Sequence, residues 1–127
     1  MMGLTYAPIK IENLFNKRAV EVSALVDSGS VFLTIPEHLA VQLGVDLTEV
    51  STREVVLANA HRALVPMVGP LRVQFGDRYC DLSVLVLGDE PLLGAVSMEM
   101  MDLILHPATQ CFSVNPASPY VPVALAK

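Results

Sequence analysis

The chain has 127 residues, of which 53% are hydrophobic and 17% are charged, and its formal net charge is −5. We expect a single domain over residues 1–127, with a core over about 5–114 and an extended tail over 115–127. The acidic balance, without a cluster of Lys or Arg, argues against a nucleic-acid partner. No apolar run approaches the roughly 18 residues of a spanning helix, so we expect no membrane association.

The cysteine and histidine content gives no sign of a disulfide framework or a metal site. Cys80 and Cys111 are predicted to be reduced thiols in a cytoplasmic protein, and no signal peptide is predicted at the N-terminus. The three histidines, His38, His61 and His106, lack metal-ligand spacing, and we expect no metal or cofactor. A nucleophilic Cys–His pair stays open as an alternative, although no local signature supports it.

Glycine, proline and Asn/Asp residues divide the chain into short pieces that alternate in polarity or are rich in Val and Leu, as strands are. A first strand is predicted over "TYAPIKI", where Pro8 indicates an edge or a bulge. A turn follows in "ENLFNKR". The next strand, "AVEVSALV", has one apolar residue in two on the same face, from Val20 to Val26. "VFLTI" is the following predicted strand.

A first helix is predicted over "PEHLAVQLG", since Pro36 suits a first turn and Gly44 suits a C-terminal cap. Residues 53–58 and 62–75 look like the two arms of a hairpin around Asn59-Ala60-His61. A tight turn at "GDR" then leads into the strand "YCDLSVLVL", and "GDEP" forms the next turn.

The last third of the chain adds a second helix and closing strands. The Met and Glu content of "LLGAVSMEMMD" favours a short helix over about 95–101, and "LILHP" and "QCFSV" are closing strands. With six to eight short strands and two short helices in all, the predicted fold class is all-β, a closed or partly closed barrel.

One stretch, "ALVDSGS", carries an aspartate out of an apolar strand into a sharp turn. Asp-Ser-Gly is also ordinary turn chemistry, so a solvated turn is the alternative interpretation. Half of an acid–base dyad needs a carboxylate at a strand end, a small hydroxyl residue that anchors the loop, and a glycine that lets the backbone turn beneath the carboxylate. Asp27, Ser28 and Gly29 have that composition.

Together with the hairpin at 53–75 and with "LLG" before a short helix, this stretch resembles the retropepsin-like aspartic proteases. The likeness is greatest to small stand-alone bacterial members, which similarly combine "LVDSGS", "IPE", "LG" and "LLGA…ME", and it covers about residues 5–114. The resemblance implies a closed acid-protease barrel with a flap hairpin. It also implies an aspartic endopeptidase that binds an extended peptide or protein substrate as an added strand and uses no metal or cofactor.

The resemblance also implies roles for single residues. Asp27 is the catalytic aspartate, and Ser28 bonds across a dimer axis and locks two active-site loops together. Gly29 permits the turn, and Ser30 donates a hydrogen bond to Asp27 that favours its ionised form. The flap tip, in contact with substrate, is implied at Asn59, Ala60 and His61. Packing beneath the active-site loop is implied for Leu92, Leu93 and Gly94.

A single Asp-Ser-Gly motif implies a C2 homodimer, because the dyad then needs Asp27 from a second copy. The tip "ANAHR" lacks the glycine that flaps of this family usually carry, and we expect Asn59 to tolerate a left-handed conformation there. Two alternatives stay open. One is a dimeric peptide-binding or scaffolding module on the same fold that cleaves little or nothing, and the other is a plain structural β-domain.

Overall fold

The computed structural model describes residues 4–48, 50–57, 59–106, 111–117 and 122. Within these ranges nine strands and two short helices follow one another, which confirms the predicted mostly-β architecture. The strands are β1 (Tyr6–Asn13), β2 (Ala19–Val26), β3 (Thr34–Ile35), β4 (Ser51–Val56), β5 (Arg62–Phe75), β6 (Arg78–Val86), β7 (Leu92–Leu93), β8 (Leu103–His106) and β9 (Cys111–Val114). The helices are α1 (Glu37–Gln42) and α2 (Ala95–Met101).

Six strands close into a ring, and the closing contact is made by β1. The sheet order is β1-β2-β7-β3-β6-β5-β4, and β1 also pairs with β5, from Lys10 opposite Gln74 to Asn13 opposite Leu71. This ring of hydrogen-bonded strands confirms the predicted barrel. In the described part of the chain, β4 pairs only with β5 and so stands outside the ring. β8 and β9 form a separate two-stranded sheet.

The core follows from the two-residue period of the strands. In β1 the inward residues Ala7, Ile9 and Ile11 are at most 3% exposed, while their neighbours face solvent. Both helices add apolar side chains to the same core, among them Leu39 from α1 and Met101 from α2. Neither of these described helices is long and apolar enough to cross a membrane.

β5 belongs both to the ring and to a projecting hairpin. Its first part pairs with β4, from Met67 opposite Ser51 to Arg62 opposite Val56, and its second part pairs with β1. A shift in the register with β6 between Val68 and Leu71 separates the two parts. We call β4, the turn after it and residues 62–68 the flap hairpin. The hairpin predicted from the sequence is thus present, with a first arm at Ser51–Val56 rather than 53–58.

Two other predicted boundaries are wrong. β1 continues to Asn13, where the sequence predicts a turn, because these last residues pair with the second part of β5. The strand predicted over "VFLTI" is reduced to Thr34–Ile35, because the backbone before it bonds to the start of α2 instead. The second helix is confirmed at Ala95–Met101. The predicted tail over 115–127 lies mostly outside the described residues, and the single-domain boundaries stay a prediction.

Arg78, at the start of β6, is only 3% exposed. Its Nη1 donates hydrogen bonds to the carbonyl oxygens of Met101 (3.0 Å) and Asp102 (3.1 Å), at the end of α2. A cation is favourable there, because the last carbonyl groups of a helix have no partner within the helix. Asp102 has a left-handed conformation with φ 55°, so Arg78 binds the chain where it leaves α2 for β8.

We predict that Arg78→Met lowers the free energy of unfolding by about 2–3 kcal/mol, because two buried carbonyl groups lose a charged donor. Urea unfolding measures the change. The matched control is Arg72→Met, since Arg72 pairs with Asp81 at the surface (Nε to Oδ1, 2.8 Å) and such pairs contribute about 1 kcal/mol or less. Equal losses in the two variants would contradict a special role for Arg78.

Candidate active site

Asp27 lies just beyond the end of β2, and the sheet still holds its backbone. The last two residues of β2 pair in parallel with Leu92 and Leu93 of β7. The ladder extends one step further, because the Asp27 amide donates to the carbonyl oxygen of Leu93 at 3.0 Å. The side chain is half-buried. The position of Asp27 is therefore set by the pairing of the apolar end of β2 with β7, as the apolar run before it predicts.

The turn after Asp27 folds back onto its carboxylate. The Gly29 amide donates to Asp27 Oδ1 at 2.9 Å, and the Ser30 amide donates to the Asp27 carbonyl oxygen at 3.1 Å. A Cβ atom at Gly29 would lie 3.2 Å from Oδ1, so a larger residue would crowd the carboxylate. In this protomer the Ser30 hydroxyl does not make the bond to Asp27 that the resemblance implies. The Gly29 amide takes that place.

The loop of residues 27–32, here called the Asp27 loop, is bound to the start of α2. The amides of Ala95 and Val96 donate to the carbonyl oxygens of Ser30 (2.7 Å) and Val31 (3.1 Å). Gly94 is enclosed by the same loop. A Cβ atom there would lie 2.5 Å from the Phe32 carbonyl oxygen. Only glycine fits at this contact without a shift of the backbone, which gives the "LLG" motif a physical reason.

A cleft of about 540 Å³ lies between the Asp27 loop and the flap hairpin. Residues 29–32 line it from the loop, residues 53–57 line it from the flap hairpin, and Leu85 and Leu87 also contribute. Most of these side chains are apolar, and Val31 at the end of the loop is 55% exposed. The arrangement provides an open, largely apolar channel beside the Asp27 loop, and in the described protomer Asp27 itself is not among the residues that line it.

Apart from Gly29 and Ser30, the residues that line the cleft were not among the predicted site residues, and two of them contact each other. The guanidinium carbon of Arg53, on β4, lies 4.9 Å from the ring centroid of Phe32, on the Asp27 loop. This distance is within the range of a cation–π contact. The contact joins the flap hairpin to the loop across the cleft. The stretch "REVVL" has two polar residues followed by three apolar ones and does not alternate, so the sequence carries no signal of which flap side chains face the cleft.

The flap tip is a tight turn with exposed side chains. The Leu57 amide donates to the His61 carbonyl oxygen at 2.8 Å, and the His61 amide donates to Asn59 Oδ1 at 3.0 Å. The left-handed residue is Ala60, with φ 67°, so the expectation for Asn59 is wrong. Asn59 instead uses its side chain as an acceptor within the turn. In the described protomer, these tip residues do not line the cleft.

The other candidate residues do not form a second site. Cys80 is 4% exposed, and burial raises the pKa of its thiol to about 11, so it stays protonated and is a poor nucleophile at neutral pH. His38 and His61 are exposed. The side chains of Cys111 and His106 lie outside the described set. Among the side chains that the structure describes, no group of three or more His, Cys, Asp or Glu residues could hold a metal ion.

A second concavity, of about 420 Å³, lies beside the turn after β1 and away from Asp27. Its polar walls are already engaged within the protein. The side-chain amides of Asn13 and Asn16 donate to the Leu43 carbonyl oxygen, at 2.9 and 3.0 Å. Asp46 accepts hydrogen bonds from the hydroxyl and amide of Thr48, which lower the pKa of the Asp46 carboxyl. These groups hold loops together, so the cleft at Asp27 is the better candidate site.

We predict that Gly94→Ala displaces the Asp27 loop and lowers the free energy of unfolding by about 2 kcal/mol or more, since its Cβ would overlap backbone oxygens. Amide hydrogen exchange at Ala95 and Val96 reports the loop directly, and we expect both amides to exchange faster than in the wild type. Gly88→Ala is the control for the exchange measurement: alanine at φ +84° strains the backbone and lowers stability, but no atom lies within 4 Å of its Cβ, so Ala95 and Val96 should keep their protection relative to the rest of the chain. Unchanged exchange in Gly94→Ala would contradict the described packing.

Comparisons with known proteins agree with this geometry. The chain matches a protein-family model described as aspartyl protease over residues 7–105, which include the Asp27 loop, the flap hairpin and α2. No curated protein matches the chain.

Solved structures give the same fold. The retroviral protease-like domain of Ddi1 from Leishmania major superposes with a TM-score of 0.62 at 17% identity, over 91% of each chain, and at that identity it supports the fold alone. A retropepsin-like aspartic protease from Rickettsia conorii has a TM-score of 0.53 and 27% identity, over 72% of this chain and 74% of that one. The predicted retropepsin-like fold is confirmed, and the chain belongs to the aspartyl protease family.

Proposed function

We propose that the protein is an aspartic endopeptidase that works as a homodimer with one Asp27 from each copy. One observation carries the proposal: Asp27 stands on a loop that is fixed by backbone hydrogen bonds and whose next residues, 29–32, form one wall of an open cleft, in a chain of the aspartyl protease family. Fold alone does not imply activity. The intact Asp-Ser-Gly sequence on this loop favours catalysis.

Dimer formation is supported by features of the single protomer. The chain contains one Asp-Ser-Gly motif, and a dyad needs two carboxylates. Ser28 and Gly29 are exposed at the turn of the Asp27 loop, and Val31 exposes 55% of its surface. A two-fold axis beside this loop would bring the two Asp27 carboxylates together and bury Val31. It would also allow each Ser28 hydroxyl to bond to the opposite loop.

The chemistry then follows from two adjacent carboxyl groups that share one proton, because two carboxyl groups in contact with each other do not both ionise. The ionised carboxylate takes a proton from a bound water as the water oxygen attacks the carbonyl carbon of the scissile peptide. The protonated carboxyl donates its proton to the carbonyl oxygen. A proton then passes to the leaving nitrogen as the C–N bond breaks, and the products are a carboxylic acid and an amine.

The cleft supports an extended substrate. The channel runs between β4 and the Asp27 loop, and in the described protomer β4 is paired on one side only. An extended peptide can therefore add its backbone hydrogen bonds to a strand edge while its side chains enter the apolar lining. The exposed flap tip, Asn59, Ala60 and His61, would come into contact with the peptide when the flap hairpin closes over it.

We predict that Asp27→Asn reduces cleavage of a peptide library, measured from about pH 4 to 7, by about a thousandfold or more, because an amide can neither accept nor donate the shared proton. The control is Asp77→Asn, an exposed aspartate in the turn between β5 and β6, which we expect to keep wild-type rates. Equal cleavage by wild type and Asp27→Asn would overturn the assignment of Asp27. Peptide binding by the wild type without cleavage would favour the non-cleaving binding module.

A second prediction concerns the dimer. Ser28→Ala removes one proposed inter-subunit hydrogen bond from each protomer, and we expect the dimer dissociation constant to rise about tenfold. Sedimentation equilibrium of wild type and variant measures it. Ser23→Ala, an exposed serine on β2, is the matched control and should leave the constant unchanged. A wild type that remains monomeric at high concentration would exclude the proposed dyad.

A further inference from the structure

We propose that Arg53 is a specificity-determining residue that selects peptides with an acidic side chain on one side of the cleft. The inference rests on the proposed function, because it concerns the peptide that occupies the same cleft. It follows from the position of Arg53 on the inner face of the flap hairpin, from its contact with Phe32, and from the charges around it.

Arg53 is the charged residue on the inner face of the flap hairpin, where Ser51 is the other polar residue of β4. Residues directly opposite each other in the β4–β5 ladder share a face, and here Arg53 is opposite Val65 and Val55 is opposite Ala63. Val65 is 5% exposed, which shows that this face points toward the protein. Arg53 therefore projects toward the Asp27 loop, whereas its neighbour Glu54 projects to the opposite face.

No protein carboxylate in the described structure pairs with Arg53. Glu54 is held on the outer face by Arg62, with 2.9 Å between Glu54 Oε1 and Arg62 Nη1. Apart from Arg53 and Glu54, the residues that line the cleft are uncharged. A peptide that enters the cleft thus meets one unmatched positive charge within an apolar surface.

The contact with Phe32 prepares Arg53 to bind a carboxylate. A guanidinium contacts an aromatic ring through its own flat face, whereas its N–H groups point outward in the guanidinium plane. The group can therefore still donate two parallel hydrogen bonds to a carboxylate. The ring also restricts the arginine side chain and excludes water from one side, which strengthens a charge-assisted bond formed there. A neutral side chain of the peptide at the same place would leave the Arg53 cation without a partner, and a basic one would be repelled by it.

The strand geometry also predicts where the acidic residue lies. Arg53 precedes Val56, the last residue of β4, by three residues, which corresponds to about 10 Å along a strand. With Val56 over the scissile bond, an extended peptide covers that length in about three residues. We therefore expect the acidic side chain about three or four residues from the scissile bond.

The test uses positional-scanning decapeptide mixtures in which one position at a time is fixed as Glu, Gln or Lys. Wild type is compared with Arg53→Gln, Arg53→Glu, Arg53→Lys and the control Lys10→Gln, which removes an exposed cation on β1 that does not line the cleft. At one position about three or four residues from the cut, we expect wild type to cleave the Glu mixture about fivefold or more faster than the Gln mixture. Arg53→Gln should lose the preference, Arg53→Glu should favour Lys, and Arg53→Lys should keep part of it. Lys10→Gln should match the wild type.

Two results would overturn the proposal: a wild type that does not distinguish Glu from Gln, or a Glu preference that survives in Arg53→Glu. Binding of the same mixtures to Asp27→Asn, measured by fluorescence anisotropy, separates this proposal from the proposed function. Arg53-dependent binding of acidic peptides without cleavage by the wild type would support the selection and overturn the endopeptidase. Cleavage without an acidic preference would support the endopeptidase and overturn the selection by Arg53. If the protein neither binds nor cleaves the peptides, both proposals are overturned.

Discussion

The site depends on a set of backbone hydrogen bonds between two segments that are far apart in sequence. The Asp27 loop bonds to the chain at Leu93, Ala95 and Val96, and Gly94 leaves no space between them. Because these contacts use main-chain atoms, they fix the loop regardless of most side-chain changes around it. The carboxylate is therefore held by a rigid support, as a group that must keep its geometry during a reaction requires.

The two walls of the cleft differ in how they are anchored to the rest of the protein. The wall at the Asp27 loop is anchored to β7 and α2, and Arg78 binds the other end of α2 to β6. The opposite wall is a two-stranded hairpin that stands outside the closed ring and whose tip side chains are exposed. Such a hairpin has few packing partners, so its local stability is lower than that of the ring. The two walls of the cleft thus differ in the number of described contacts that hold them in place.

Sequence patterns predicted the elements that depend on local chemistry. Four features could be predicted in this way: the apolar alternation of β2, the turn after Asp27, the hairpin around residue 59 and the helix at 95–101. The errors occur where hydrogen bonds to segments distant in sequence determine the local structure. "VFLTI" reads as a full strand, but its first residues bond to α2. Arg78 looks like an exposed turn residue, because its partners at Met101 and Asp102 come much later in the chain.

The edge of β4 that has no partner strand among the described residues also has a consequence for aggregation. A free strand edge is a template on which further copies of a protein can assemble into aggregates. Here the strand is six residues long and carries Arg53 and Glu54 at its centre, and such short, charged edges resist stacking. The charges on this strand therefore oppose stacking of further copies at this edge, while a single extended chain can still pair with it.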